Sequence, residues 1–265
     1  MPELPEVESA RRMAARVLTG RRIVAVATVR DSIMYAGISP MRFASALRGR
    51  MVRGVGRRGK HLWLELDCRP WPAFHFGMTG YFEKYSRPEE RPRFWKMELL
   101  LDNHTRFALS DARRLGRIRL LNDPANEPPI CDLGFDPLSD SDLGPRFVQE
   151  LRRRKAPVKA VLLDQSFSAG VGNWIADEVL YQSKIRPQRR GCDLSPAEAQ
   201  CLFRKVIAVI RRAVDVDGNN DRYPRTWLFH YRWGKMAGAV TFKGEKIVHE
   251  TIGGRTTAWV PAVQK

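Results

Sequence analysis

The chain has 265 residues and 43% hydrophobic content, enough for one large or two modest domains with real cores. Lys and Arg number 46 against 29 Asp and Glu, for a net charge of +17 and a pI of about 10.3. That excess points to a polyanionic partner, nucleic acid before membrane, because no basic amphipathic helix with a greasy face stands out and no apolar run approaches the ~20 residues of a membrane span.

The chain opens Met1-Pro2-Glu3-Leu4-Pro5-Glu6-Val7-Glu8, whose early glutamates are not expected of a signal peptide. A small second residue allows Met1 to be trimmed, which would leave Pro2 as a terminal secondary amine. An α-amino group has a reference pKa near ~8, against roughly 10.4 for lysine, so part of it is neutral at pH 7 and nucleophilic. Attack on a carbonyl-like carbon gives a cationic iminium, and Glu3 stands beside it to shuttle protons. A proline-rich helix start, with Glu6 and Glu8 favouring the helix dipole, explains the same residues and is the stronger explanation on them alone.

Residues 6–18 carry Val7, Ala10, Met13, Ala14, Val17 and Leu18 at helical spacing, and Gly20 closes that helix. Residues 23–29 read as a buried strand and 40–47 as a short helix. Residues 51–66 read as a hairpin turning at Arg58-Gly59-Lys60, and 74–81 as one strand interrupted by Gly77 and Gly80. Residues 97–101 and 105–109 pair as another hairpin, and Asp111-Ala112-Arg113-Arg114-Leu115-Gly116 turns into a strand over 117–121. One helix followed by many strands gives a β-sandwich-like half.

Residues 122–145, punctuated by proline, glycine and aspartate, read as a linker. After it the texture is helical: 146–155, 157–165, 174–183 with Asn173 as N-cap, and 195–216 opened by the capping box Ser195-Pro196-Ala197-Glu198. Residues 217–225 are loop-like, 239–249 read as a hairpin about Lys243-Gly244-Glu245, and 253–260 return from a glycine turn. The resulting expectation is α+β: a β-sandwich domain over 1–121, a linker over 122–145, and a helical domain over 146–265 ending in a hairpin from about 236. The four cysteines, Cys68, Cys131, Cys192 and Cys201, form no C-x-x-C pair, so free thiols are expected and a zinc or redox site is not. His61 and His75 lack matching metal-ligand partners. The aromatic stretch 227–233 is expected to pack between helix and hairpin rather than stack on bases.

In order along the chain, the opening Met1-to-Glu8 run, Arg58-Gly59-Lys60, His75-Phe76-Gly77-Met78, Asp111-Ala112-Arg113-Arg114, Gly170-Val171-Gly172-Asn173-Trp174-Ile175-Ala176-Asp177-Glu178 and Gly253-Gly254-Arg255-Thr256-Thr257 resemble the formamidopyrimidine-DNA glycosylase/endonuclease VIII (Fpg/Nei) family over essentially the whole chain. The resemblance implies an N-terminal β-sandwich behind a leading helix, then a helix–two-turn–helix and a finger hairpin. It implies Pro2 as nucleophile and Glu3 as catalytic acid, with Lys60 and Arg255 at phosphates. Met78 and Arg113, with Leu115 at the third wedge position, would fill the duplex where a nucleotide has been extruded. Lys159 and Asn173 would clamp phosphates, and His75 shares the DNA-facing motif.

No cysteine follows Cys201, so the end resembles the zincless finger of plant and fungal members, and no metal or redox cofactor is called for. The expected activity is a bifunctional glycosylase and abasic-site lyase acting by a Pro2 Schiff base and β,δ-elimination. The expected partner is double-stranded DNA with damaged bases or abasic sites, engaged by a monomer. Ring-opened formamidopyrimidines and further-oxidised guanines are the expected lesions, with 8-oxoguanine weak because the segment before the finger is short. A catalytically silent damage-binding protein is the alternative, which intact Pro2, Glu3 and Lys60 oppose. A general RNA or chromatin binder is a second, without an RNA-recognition signature to support it. Basic clusters such as Arg152-Arg153-Arg154-Lys155 suit a nucleus in a eukaryotic source, and otherwise cytoplasm or nucleoid.

Overall fold

A computed structural model describes residues 2–234 and 238–265. Contacts divide the chain into two compact units: Met1–Pro2 with Glu6–Asp132, and Glu3–Pro5 with Leu133–Lys265.

The first unit is built on helix α1 (Leu4–Leu18) and two four-stranded antiparallel sheets. One has the order β1 (Ile23–Thr28), β6 (Trp95–Leu101), β7 (Arg106–Ser110), β5 (Tyr81–Tyr85). The other runs β2 (Val52–Arg58), β3 (His61–Leu66), β4 (Trp71–His75), β8 (Arg117–Leu121). Alternation in β3 sends Leu62, Leu64 and Leu66 inward, where they join Val7, Ala14 and Leu18 of α1, Phe43 and Leu47 of α2 (Pro40–Leu47), and Met97, Leu99 and Phe107 of the first sheet. One core shared by two sheets makes this unit a β-sandwich.

The span read as a single strand over 74–81 is two strands in different sheets. Gly77 takes φ +60 and the Gly80 N–H donates to the Phe76 carbonyl, so the chain leaves the β4 sheet after His75 and enters the other as β5. The two-residue turn between β2 and β3, by contrast, sits where the sequence puts it: Arg58 pairs with His61, and Gly59 supplies the positive φ beside Lys60 at the tip.

The second unit holds α3 (Leu143–Arg152), α4 (Val158–Leu163), α5 (Asn173–Ser183) and α6 (Pro196–Asp215), with a hairpin of β9 (Val248–Ile252) and β10 (Arg255–Trp259). The stretch read as a linker is partly core: Ile130 and Asp136 are fully buried, and Phe135 packs edge-on against Phe147 and Phe167. Helix α3 starts inside that stretch, three residues before the expected position, because Pro145 lies in its first turn, where no intrahelical N–H is needed.

Residues 239–249 fold back about Lys243-Gly244 as expected, but the pairing is too short for a ladder: the Thr241 N–H donates to the Glu245 carbonyl at 2.9 Å and the Ile247 N–H to the Ala239 carbonyl at 2.8 Å. The Thr241 hydroxyl accepts from the Lys243 and Glu245 N–H groups and closes a local turn, leaving one isolated bridge from Val240 to Lys246. The ladder forms one element later, with Ile252 paired to Arg255 across Gly253 and Gly254. Residues 235–237, inside the span expected to begin the finger, lie outside the described residues. Trp227 packs inward with Trp174 of α5 and Tyr223, while Trp233 is exposed against Phe229.

Candidate active site

Helix α5 begins without a side-chain cap of its own. Asn173, read from sequence as its N-cap, is its first helical residue, and Gly172 takes the cap position. The missing acceptor comes from the start of the chain: the Glu3 carboxylate accepts from the Trp174 N–H at 2.9 Å and the Ile175 N–H at 3.1 Å. Unpaired N–H groups and the positive end of the helix dipole are a favourable place for a buried carboxylate, and Glu3 is 1% exposed. The Leu4 N–H is tied to the Gly170 carbonyl at 3.1 Å. Gly172 is required by proximity rather than conformation: at φ −123 its backbone is ordinary, but a Cβ would stand 2.2 Å from the Glu3 carboxyl carbon. Pro2 directly precedes Glu3 in the chain; Met1 lies outside the described residues.

Behind Glu3 a charged network crosses the second unit. Lys159 of α4 is 0% exposed; its ammonium donates to the Asn173 carbonyl at 3.1 Å and is ion-paired with Asp177. Asp177 also accepts from Arg232 and from the Ala258 N–H of β10 at 3.2 Å. Burial pushes the Lys159 ammonium below its ordinary value, with Asp177 pulling the other way. Lys159, expected as a phosphate clamp, thus points inward as a brace, because the nearest carboxylate is inside α5. Asn173 donates its Nδ2 to the Thr256 carbonyl at 2.9 Å, which joins α5 to the strand headed by exposed Arg255. Next to Asp177, Glu178 accepts from the Phe229 N–H at 2.8 Å and the Gln182 side chain at 2.8 Å, and burial pushes its carboxyl up to about 7.

In the first unit, Lys60 stands at the β2–β3 tip. Arg57 braces that tip by donating to the Gly59 carbonyl and to Glu8 of α1, each at 3.1 Å. Burial alone pushes the Glu8 carboxyl up, but Arg11 and Arg57 overcompensate and hold it below its ordinary value. His61 and His75 are cross-strand partners with ring centroids 4.8 Å apart. Burial first, then neighbouring cations including Lys60, pushes their pKa values down to about 3 and about 4. His75 Nδ1 accepts from the Gly77 N–H at 3.2 Å, so the neutral ring carries its proton on Nε2. Met78 lies in the turn after His75, and Arg113 and Leu115 lie on the loop before β8; all three are exposed.

Sequence reasoning missed Gly172, Asp177 and Arg232 around Glu3, and Arg57, Thr79 and Asp111 in the first unit. Gly172 and Asp177 lie inside the Gly170-to-Glu178 motif and Asp111 heads the Asp111-to-Arg114 motif, but sequence reasoning gives none of the three a role. The partners of Arg232 and Arg57 are 55 and 49 residues away in sequence and left no local signal.

These features define a basic protein in which a carboxylate from the chain start caps a helical, hairpin-bearing unit that follows a β-sandwich. Comparison with known proteins makes the assignment specific. Residues 1–118 match the formamidopyrimidine-DNA glycosylase N-terminal domain and residues 133–223 the formamidopyrimidine-DNA glycosylase H2TH domain. A formamidopyrimidine-DNA glycosylase of Arabidopsis thaliana is 40% identical over 100% of this chain and 71% of its own length. One from Hahella chejuensis is 33% identical over the full length of both. Among solved structures, the Lactococcus lactis glycosylase non-covalently bound to abasic-site DNA has a similar fold, with a TM-score of 0.87 at 23% identity over 99% of each chain. A point variant of the L. lactis enzyme in complex with Fapy-dG DNA aligns over 100% of both chains, with a TM-score of 0.87 at 25% identity. The chain belongs to the formamidopyrimidine-DNA glycosylase family.

Proposed function

We propose that this protein is a DNA glycosylase of base excision repair that also cleaves abasic sites. Its substrates are duplexes carrying ring-opened formamidopyrimidines or further-oxidised guanines, with 8-oxoguanine a weaker one. The observation that carries this reading is the Glu3 carboxylate seated on the Trp174 and Ile175 N–H groups, immediately after Pro2, in a chain whose full length aligns with glycosylases of this family. A charge of +17 supports a DNA partner.

A stacked base shields its sugar carbon, so the nucleotide is first extruded, with Met78, Arg113 and Leu115 entering the vacancy. With Met1 removed, the Pro2 nitrogen attacks C1′ and the C1′–base bond breaks, the base leaving with a proton. The sugar ring opens to an iminium, and Glu3 moves the proton involved. The cation acidifies the C2′ hydrogen; its loss expels the 3′ phosphate, and a second elimination expels the 5′ phosphate. Lys60, Arg255, the Asn173 amide and the neutral His75 Nε2–H are suitable phosphate partners, by charge or by donor chemistry.

Borohydride reduction during reaction with abasic-site and formamidopyrimidine duplexes tests this. A covalent adduct mapping to Pro2 is the expected result. Retarded migration without an adduct would leave a damage-binding protein, and equal affinity for damaged and intact duplex at matched salt would leave a general polyanion binder.

A further inference from the structure

We propose that Thr79 and Asp111 form a latch that holds Met78, Arg113 and Leu115 as one pre-assembled wedge, and that the two residues act as positioning groups for nucleotide extrusion. The inference rests on the wedge reading of the proposed function and adds what makes the wedge work.

Asp111 is 0% exposed, and both its oxygens are occupied by the two loops that carry the wedge. Its Oδ1 accepts from the Thr79 hydroxyl at 2.5 Å and the Arg113 N–H at 3.1 Å, and its Oδ2 accepts from the Gly116 N–H at 2.7 Å. Thr79 follows Met78 directly, and the two N–H donors bracket Arg114 and Leu115. A single carboxylate thus fixes the loop on either side of its exposed residues and ties it to the neighbouring turn. The backbones meet as well: a Cβ on Gly77 would stand 2.4 Å from the Leu115 carbonyl carbon, and one on Gly116 would stand 2.8 Å from the His75 carbonyl oxygen. Arg114, at φ +56, adds a third tie through paired side-chain hydrogen bonds to Asp31 at 2.9 and 3.1 Å.

Met78 and Leu115 remain 38% and 39% exposed. Exposed apolar side chains on so tightly tied a frame gain nothing in stability from that frame. They gain pre-organisation: opening a base step is itself costly, and a wedge already ordered adds no ordering cost of its own. Thr79 is the informative member, because valine keeps its shape and removes only the hydroxyl that bonds Asp111.

The test uses Thr79→Val, with Thr79→Ser restoring the hydroxyl. Excision from a lesion-containing duplex is measured in single turnover beside scission of an abasic site in single-stranded DNA, which has no stack to open. A 2-aminopurine next to the lesion reports extrusion. The expected result for Thr79→Val is a loss of duplex excision of about tenfold, matched by slower 2-aminopurine fluorescence gain, with single-strand scission within twofold of the parent and Thr79→Ser near the parent in both. Unchanged duplex excision, or equal loss in both reactions, would overturn the latch. A Met78→Ala variant with unchanged duplex excision would instead remove the wedge reading, and the latch with it. Asp111→Asn, expected to be the more severe change, is read only where its melting temperature shows it folded.

Discussion

Replacing Gly172 by alanine separates catalysis from folding. At φ −123 an alanine is unstrained, so the nearest conflict is its Cβ against the Glu3 side chain, 2.2 Å from the carboxyl carbon and 2.4 Å from Oε1. Glu3 is the flexible partner and swings away, which leaves the Trp174 and Ile175 N–H groups without the carboxylate. Losing a helix cap costs about 1 kcal/mol, or roughly 3–5 °C in melting temperature for a unit of this size. Moving a general acid off its target costs on the order of a hundredfold or more in rate. Single-turnover excision of a formamidopyrimidine should therefore fall by at least about a hundredfold in Gly172→Ala, close to Glu3→Gln, while calorimetry shows only that small shift. Gly170→Ala is the contrast: at φ +94, with its Cβ 2.8 Å from that of Leu4, it should lose substantially more stability. Excision by Gly172→Ala within threefold of the parent would show that the carboxylate need not sit on α5.

The remaining expectations concern the first unit and the buried lysine. Unfolded histidines protonate near pH ~6.5, whereas folded His61 and His75 hold out to about 3 and about 4, so the unfolded chain binds more protons between those limits. Their contribution is fully present above the unfolded value and is lost as the pH falls toward the folded ones; between pH 7 and 5.5 it amounts to about 2 kcal/mol for the pair, measurable by denaturant titration and abolished in a His61→Gln, His75→Gln double variant. Arg57→Met removes the donor to Gly59 and Glu8 and should cost about 1–2 kcal/mol while slowing strand scission through a loosened Lys60 tip. Scission at the parent rate would show that Lys60 needs no such brace. Lys159→Met should lower stability by about 3 kcal/mol, since it breaks a buried pair that Arg232 only partly replaces. A lysine clamping a phosphate from the surface would behave the other way, with stability nearly unchanged and the salt dependence of DNA binding reduced by about one counterion.

What the sequence disclosed follows the range of the interaction. Helix α6 was legible because Ser195, Pro196 and Glu198 write its capping box within four residues, and the structure contains both reciprocal bonds. The β2–β3 turn was legible because Gly59 lies between two alternating runs. The β4–β5 crossing was not, because His75 to Tyr81 keeps a strand-like composition while Gly77 turns the chain into the other sheet. The same holds at the site. Pro2, Glu3, Lys60 and Arg255 were nameable from motifs, but nothing near Asn173 says that its helix is capped from 171 residues away. Lys159 reads as a phosphate clamp rather than a buried brace for the same reason, since its partner Asp177 comes from the next helix.

The Lys159–Asp177–Arg232 network is hard to justify as a stabilising device. Desolvating two cations and one carboxylate costs several kcal/mol per ion before any attraction returns it, and apolar residues of similar volume often serve a core as well or better. What apolar residues could not do is hold backbone atoms at defined positions. Lys159 grips the Asn173 carbonyl, Asp177 grips the Ala258 N–H, and Asn173 in turn reaches the Thr256 carbonyl, so one buried cluster registers α5 against the strand that starts at Arg255. The same helix start receives Glu3. The placement of Arg255 and of Glu3 is therefore referred to a single rigid element. In the reaction proposed here, where Glu3 and Arg255 would both meet one extruded nucleotide, that common reference is worth more than the stability a greasy core would add.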